Sequence, residues 1–141
     1  MADELTLQIK NNFAAVESAN ETASRWLEER NTPADLQYFA NLAIEELATN
    51  CIKYGYNDTK EHLIEVKLSV SPISLVMTVS DDGHPFNPLE APVPDTSLAL
   101  DKRPVGGLGL HLLRRMSDHM EYARVGEKNR VTLRKNARSS Q

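Results

Sequence analysis

Three short stretches of the chain hold the residue types from which a reactive site is built. In the first, Glu46, Asn50 and Lys53 fall on one stripe of a helical pattern. At about 100° per residue, with Glu46 as zero, Asn50 lies near +40° and Lys53 near −20°, while Phe39 and Ala43 upstream lie at about +20° and +60°. The stripe turns from apolar to polar along its length. A carboxylate, a carboxamide and an ammonium on an inward stripe are costly unless they line a wet cavity or pair with one another. A Glu46–Lys53 or Glu46–Asn50 pair on a helix rim fits the same spacing. Glu45 lies about 100° away on the solvent side, so any chemistry in the Glu45-Glu46 pair belongs to Glu46.

The second stretch is Asp81-Asp82-Gly83. Side chains alternate along a strand, and Asp81 shares the parity of Leu75, Met77 and Val79, which points it inward and Asp82 outward. A strand-ending aspartate that caps a turn has the same pattern. The third stretch is Gly106-Gly107-Leu108-Gly109-Leu110, glycines that run into an amphipathic helix. Such a junction presents unpaired N–H groups and a positive dipole end, which suits phosphate. It lacks the Gly-Lys-Ser/Thr ending of a P-loop and the preceding strand of a dinucleotide-binding fold.

The elements that must position these residues are legible in the apolar periodicity. Residues 5–9 alternate as a short strand, and Val16, Ala19, Ala23, Trp26 and Leu27 recur at helical spacing. Thr32-Pro33-Ala34-Asp35 has the chemistry of a helix start, with Thr32 as the N-cap. A second helix is expected over about 33–54 and is closed by Gly55 in the left-handed conformation. Ile64 to Val70 and Leu75 to Ser80 alternate around a Ser71-Pro72 turn as a hairpin. A third helix follows over about 108–117, with strands over 121–125 and 131–135 and a frayed tail over 136–141.

Four of the six glycines and five of the seven prolines crowd between residues 83 and 109. That crowding makes the aperiodic segment 84–105 one long loop, of a length usual for functional lids or disordered segments. The order β-α-α-β-β-loop-α-β-β predicts an α+β two-layer sandwich, a mixed and mainly antiparallel sheet covered on one face by about three helices. The length, 141 residues, fits one domain over 1–141. With 16 basic and 20 acidic side chains the net charge is −4, and no basic face argues for direct contact with nucleic acid. No apolar run spans a membrane. A single cysteine, Cys51, and the absence of a basic-then-apolar leader point to the cytoplasm. His62, His84, His111 and His119 have no metal-ligand spacing and no acidic partner motif, and Cys51 is expected to be a packed helix residue.

Taken in order, the stretches resemble the GHKL ATPases, the family of gyrase, MutL and the histidine kinases. Glu46 through Gly55 looks like the N-box, Asp81-Asp82-Gly83 like the first glycine box and Gly107-Leu108-Gly109-Leu110 like the second. The Glu-x-x-x-Asn spacing, the ending Tyr54-Gly55-Tyr56 and the run Asp81 to Pro88 resemble the stand-alone anti-sigma-factor serine/threonine kinases of the RsbW and SpoIIAB type. The resemblance implies the Bergerat fold and an ATP- and Mg2+-dependent kinase in which Glu46 is the general base, Asn50 holds Mg2+ and Lys53 neutralises phosphate. It implies that Asp81 accepts from the adenine amino group, that Gly83 lets the base approach and that 84–106 is the ATP lid. Gly106, Gly107, Leu108, Gly109 and Leu110 would cradle the phosphates.

The chain departs from the family pattern at two places. Pro85 stands where the second glycine of the first box is usual, and Lys128-Asn129 replaces a Gly-Thr, so an adenine-water contact would fall to Asn129. Arg103 either reaches the phosphates from the lid or is a solvated charge. The implied partners are a STAS-domain anti-sigma-factor antagonist as substrate, a sigma factor or other regulator, and a second copy in a homodimer. Two rival functions stay open: a nucleotide-dependent switch that sequesters a partner without phosphotransfer, and an ATPase that only hydrolyses.

Overall fold

The computed structural model describes residues 3–90 and 107–138. Arg103, Gly106 and most of the expected lid lie outside the described residues. The chain forms strand β1 (Asp3–Lys10), helices α1 (Phe13–Glu29) and α2 (Ala34–Tyr54), strands β2 (Leu63–Val70) and β3 (Ser74–Asp81), a 3-10 turn (Pro88–Glu90), helix α3 (Gly107–Met116) and strands β4 (His119–Val125) and β5 (Lys128–Asn136). The strands lie in the order β1-β2-β3-β5-β4, and every neighbouring pair is antiparallel. The expected parallel component is therefore missing among the described residues. The reason is that β4 and β5 form a hairpin whose second strand docks against β3.

Three helices cover one face of this sheet. Alternation buries Ile64, Val66 and Leu68 of β2, Leu75, Met77 and Val79 of β3, and Val131 and Leu133 of β5. They meet Val16, Ala23 and Leu27 of α1, Phe39, Ala43, Ile44 and Leu47 of α2, and Leu110 and Leu113 of α3. Each fully buried large apolar side chain contributes about 1.5–3 kcal/mol, and Ala40, Ala43 and Ala48 keep α2 slim against its neighbours. The opposite face carries Lys67, Thr78, Glu121 and Thr132 and stays polar.

Helix ends show where local chemistry was overridden. Asn12 caps α1, its side chain accepting from the Ala15 amide at 2.8 Å. The helix closes through Asn31, which sits at φ 54, with Asn31 N–H bonded to Glu28 and Thr32 N–H to Leu27, the paired bonds of a Schellman end. Thr32 is thus consumed in ending α1. It does not cap α2, whose N-cap is Pro33 without a side-chain bond, and the Thr32 hydroxyl is buried unpaired. Gly55 does end α2, but at φ −84 and ψ −21 and not in the left-handed region. The tail is tied down as far as residue 138, because the Ala137 amide bonds to Ile73 and the Arg138 amide to Asp35.

Candidate functional site

Gly55 and Gly83 bring the end of α2 and the turn after β3 into backbone contact. The His84 amide donates to the Gly55 carbonyl at 2.8 Å, and a Cβ on Gly83 would lie 2.6 Å from that carbonyl oxygen. What the missing side chain of Gly83 accommodates is therefore the Gly55 backbone. With the turn seated this way, Asp81 points inward at 8% exposure and Asp82 outward.

The Asp81 carboxylate is heavily bonded. Its Oδ1 accepts from the Gly83 amide at 2.8 Å and from Asn129 Nδ2 at 3.0 Å, and its Oδ2 accepts from Cys51 Sγ at 3.2 Å. A carboxylate offers about four acceptor positions, which leaves one on Oδ2. Asp81, Asn129, Asn50 and Cys51 line one hollow between α2, β3 and β5, together with Val79, Val131, Phe86 and Pro88. The hollow measures about 30 Å³. That is room for a water or two beside the Asp81 carboxylate.

At the other end of the site the groups are less satisfied. Glu46 is half-buried, and the α3 backbone at Gly109 lies so close that a Cβ there would overlap its carboxylate. A side chain at 109 would push the Glu46 carboxylate out of this position. Burial, with Glu45 adding, pushes the Glu46 carboxyl above the usual range, against the opposing pull of Lys53. Asn50 lies one turn on, its Nδ2 buried without a partner. Lys53 is exposed in the last turn of α2 and is not on the wall of the hollow. In α3, Leu110 is core at 1% exposure whereas Leu108 is half-exposed; Gly107 and Gly109 supply backbone at the helix start.

A carboxamide oxygen from Asn50 next to the Glu46 carboxylate is the kind of oxygen donor set a hard cation uses. Magnesium takes one or two protein oxygens and fills the rest of its octahedron with phosphate and water. Exchanging the two ends of the amide would put Asn50 Oδ1 where its Nδ2 lies without a partner.

Two features escape the sequence pattern. Cys51 is a packed helix residue as expected, but its thiol also supports Asp81; burial first, then the neighbouring Asp81 charge, pushes it well above the usual thiol range. His62, read as having no acidic partner, has two. Its Nε2 lies 2.8 Å from Asp58 Oδ1 and its Nδ1 3.1 Å from Asp82 Oδ1, and its ring stacks on Tyr56 at 4.1 Å. The Asp58 and Asp82 bonds raise the His62 pKa. The partner of His62 on the turn is the outward acid beside Asp81, which only the β2–β3 pairing brings within reach.

Residues 9–135 match the family described as the histidine kinase-like ATPase domain. The serine/threonine-protein kinase BtrW of Bordetella bronchiseptica is 25% identical over 100 residues, which is 71% of this chain and 70% of that protein. The fold is similar to the crystal structure of the RsbU and RsbW domains of Rv1364c from Mycobacterium tuberculosis, at a TM-score of 0.67 and 15% identity, covering 99% of this chain. The chain spans 34% of that solved chain, and the likeness is one of fold.

Proposed function

Since the chain belongs to the histidine kinase-like ATPase family, we propose that it is an ATP- and Mg2+-dependent serine/threonine kinase whose substrate is a STAS-domain anti-sigma-factor antagonist. The observation that carries this reading is the placement of the Glu46 carboxylate against Gly109, at the start of α3. A helix start presents free amides and a positive dipole end to phosphate, so a base held there stands beside the group to be transferred. The similarity to a protein named as a serine/threonine kinase supports transfer to a hydroxyl.

Asp81 would read the adenine amino group through its remaining acceptor position, and the amides of the α3 start, Gly107 and Gly109 among them, would hold the phosphates. Asn50 would hold Mg2+, which when bound neutralises phosphate charge. Lys53 adds a positive charge at the rim. Glu46, whose raised pKa makes it a stronger base than an exposed carboxylate, takes the proton of the attacking serine or threonine hydroxyl. A new O–P bond forms at the γ-phosphorus, the bond to the β,γ-bridging oxygen breaks, and ADP leaves with that electron pair. In this reading the protein also sequesters a sigma factor or other regulator, as a homodimer, and phosphorylation of the antagonist sets which partner it holds. Lid residues such as Arg103 and Gly106 belong to the same proposal.

Incubation with γ-labelled ATP and a co-encoded STAS protein tests it. Label on the STAS protein is the expected result, lost in Glu46→Ala by at least about 100-fold. Free phosphate alone would make the protein an ATPase. Binding without either product would make it a nucleotide-dependent sequestering switch.

A further inference from the structure

Asn129 is 4% exposed, and the β3–β5 register sets it directly opposite Asp81. Its carboxamide can donate two hydrogen bonds and accept two. Nδ2 donates to Asp81 Oδ1 at 3.0 Å and to the His84 carbonyl at 2.7 Å. Oδ1 accepts from the Phe86 amide at 3.2 Å and from the Tyr122 hydroxyl. All four valences are thus used inside the protein. None remains for a nucleotide or for a water held against one.

We propose that Asn129 is a positioning residue that locks the Asp81 carboxylate to the first residues of the lid, and that it does not touch the nucleotide itself. One of its four bonds fixes the orientation of the carboxylate. Two more pin the backbone at His84 and Phe86, where the chain leaves β3 and Phe86 lines the hollow. The fourth, from Tyr122, ties the lock to β4, whose Arg124 also grips the Gly83 carbonyl at 2.8 Å. Reading of the base and placement of the lid entrance are therefore coupled through one amide group. The part of the inference that concerns the base rests on the nucleotide reading above; the part that concerns residues 84–86 does not.

The test uses the full chain as Asn129→Ala and Tyr122→Phe, with two measurements. The first is affinity for Mg-ATP and for inosine triphosphate, which lacks the 6-amino group. In Asn129→Ala the ATP affinity is expected to fall by about tenfold more than the affinity for the inosine nucleotide, because loss of the lid entrance is common to both and loss of the reading of the amino group falls on ATP alone. The second is hydrogen exchange at the Phe86 amide in nucleotide-free protein, expected to speed up by about tenfold in Asn129→Ala and about threefold in Tyr122→Phe. Tyr122→Phe removes a single part-buried hydroxyl and keeps the lock testable if Asn129→Ala does not fold. Equal loss of both nucleotides would overturn the role at Asp81, and wild-type exchange at Phe86 in the folded variants would overturn the lock on the lid entrance. A wild type that binds no ATP would instead overturn the nucleotide reading, with the exchange result still deciding the lock.

Discussion

The two ends of the site are built on opposite terms. Around Asp81, the charged group and its neighbour Asn129 have nearly every bonding position filled by protein. Around Glu46, a carboxylate is held against burial with its pKa raised, and the nearby Asn50 has a buried nitrogen without a partner. A group that must recognise gains from being fixed, since the cost of ordering it is met during folding and not during binding. A group that must exchange protons or a metal ion cannot be saturated in advance. The comparison predicts that substitutions at the two ends move stability in opposite directions.

The largest effect is expected at the saturated end. Asp81→Asn replaces the carboxylate by an amide that must set its NH2 either against the Gly83 and Asn129 donors or onto Cys51 Sγ, a weak acceptor, in a buried network. Such a mismatch costs about 1–3 kcal/mol, a fall in Tm of about 5–10 °C for a chain of this size. ATP affinity falls with it, by at least about tenfold. Thermal melts with and without Mg-ATP measure both, and an unchanged melt would show that the network around Asp81 carries no load.

Glu46→Gln should do the reverse. A carboxylate whose folded pKa is raised costs the fold stability once pH exceeds that value, and the cost disappears as pH falls below the ordinary value of 4.5. The amide removes it. The variant is expected to melt slightly higher than wild type at neutral pH, on the order of 1–2 °C, since water screens a half-exposed group. The gain should shrink toward acid pH, and phosphotransfer should be lost throughout. A variant less stable than wild type at pH 7 would mean that Glu46 is held by favourable contacts, and the contrast between the two ends would fail.

The same contrast explains what was legible in the sequence. Asp81 in and Asp82 out follows from strand parity, and Glu46 in and Glu45 out from helix geometry, because each depends on one element only. The burial of Asn129 follows from its parity with Val131 and Leu133. Its partners do not, because they need the antiparallel register that sets it across from Asp81. The Cys51 thiol on Asp81 and the His62 contacts to Asp58 and Asp82 likewise join separate segments. Local rules also misled where two features competed for one residue: Thr32 has the chemistry of a cap for α2, yet its backbone is used to close α1. Gly55 reads as a left-handed terminator and is glycine for close approach to its own helix, where a Cβ would lie 2.6 Å from the Cys51 carbonyl.

The smallest expected effect on nucleotide binding and transfer lies behind the saturated end, at His62. Protonated, the ring can donate from both nitrogens, one to Asp58 and one to Asp82, and bridges the loop after α2 to the turn that carries Asp81. Its pKa in the fold is raised above the ordinary 6.5, so the stabilisation is complete below about that value and is lost as pH rises through the raised one. Asp58 has its pKa lowered from 3.8, chiefly by the bond to His62, so its share is lost only as pH falls through that lowered value. The bridge is therefore whole across the mildly acid range and weakens above it. His62→Gln keeps a side chain that can bond on both sides but does not titrate. Wild type should melt above this variant by about 1–2 °C near pH 5.5, with the gap closing toward pH 8.5, and ATP affinity should change by less than about twofold because Asp82 points away from the hollow. A gap of constant size across that range would show that His62 acts by packing against Tyr56 and not by its charge.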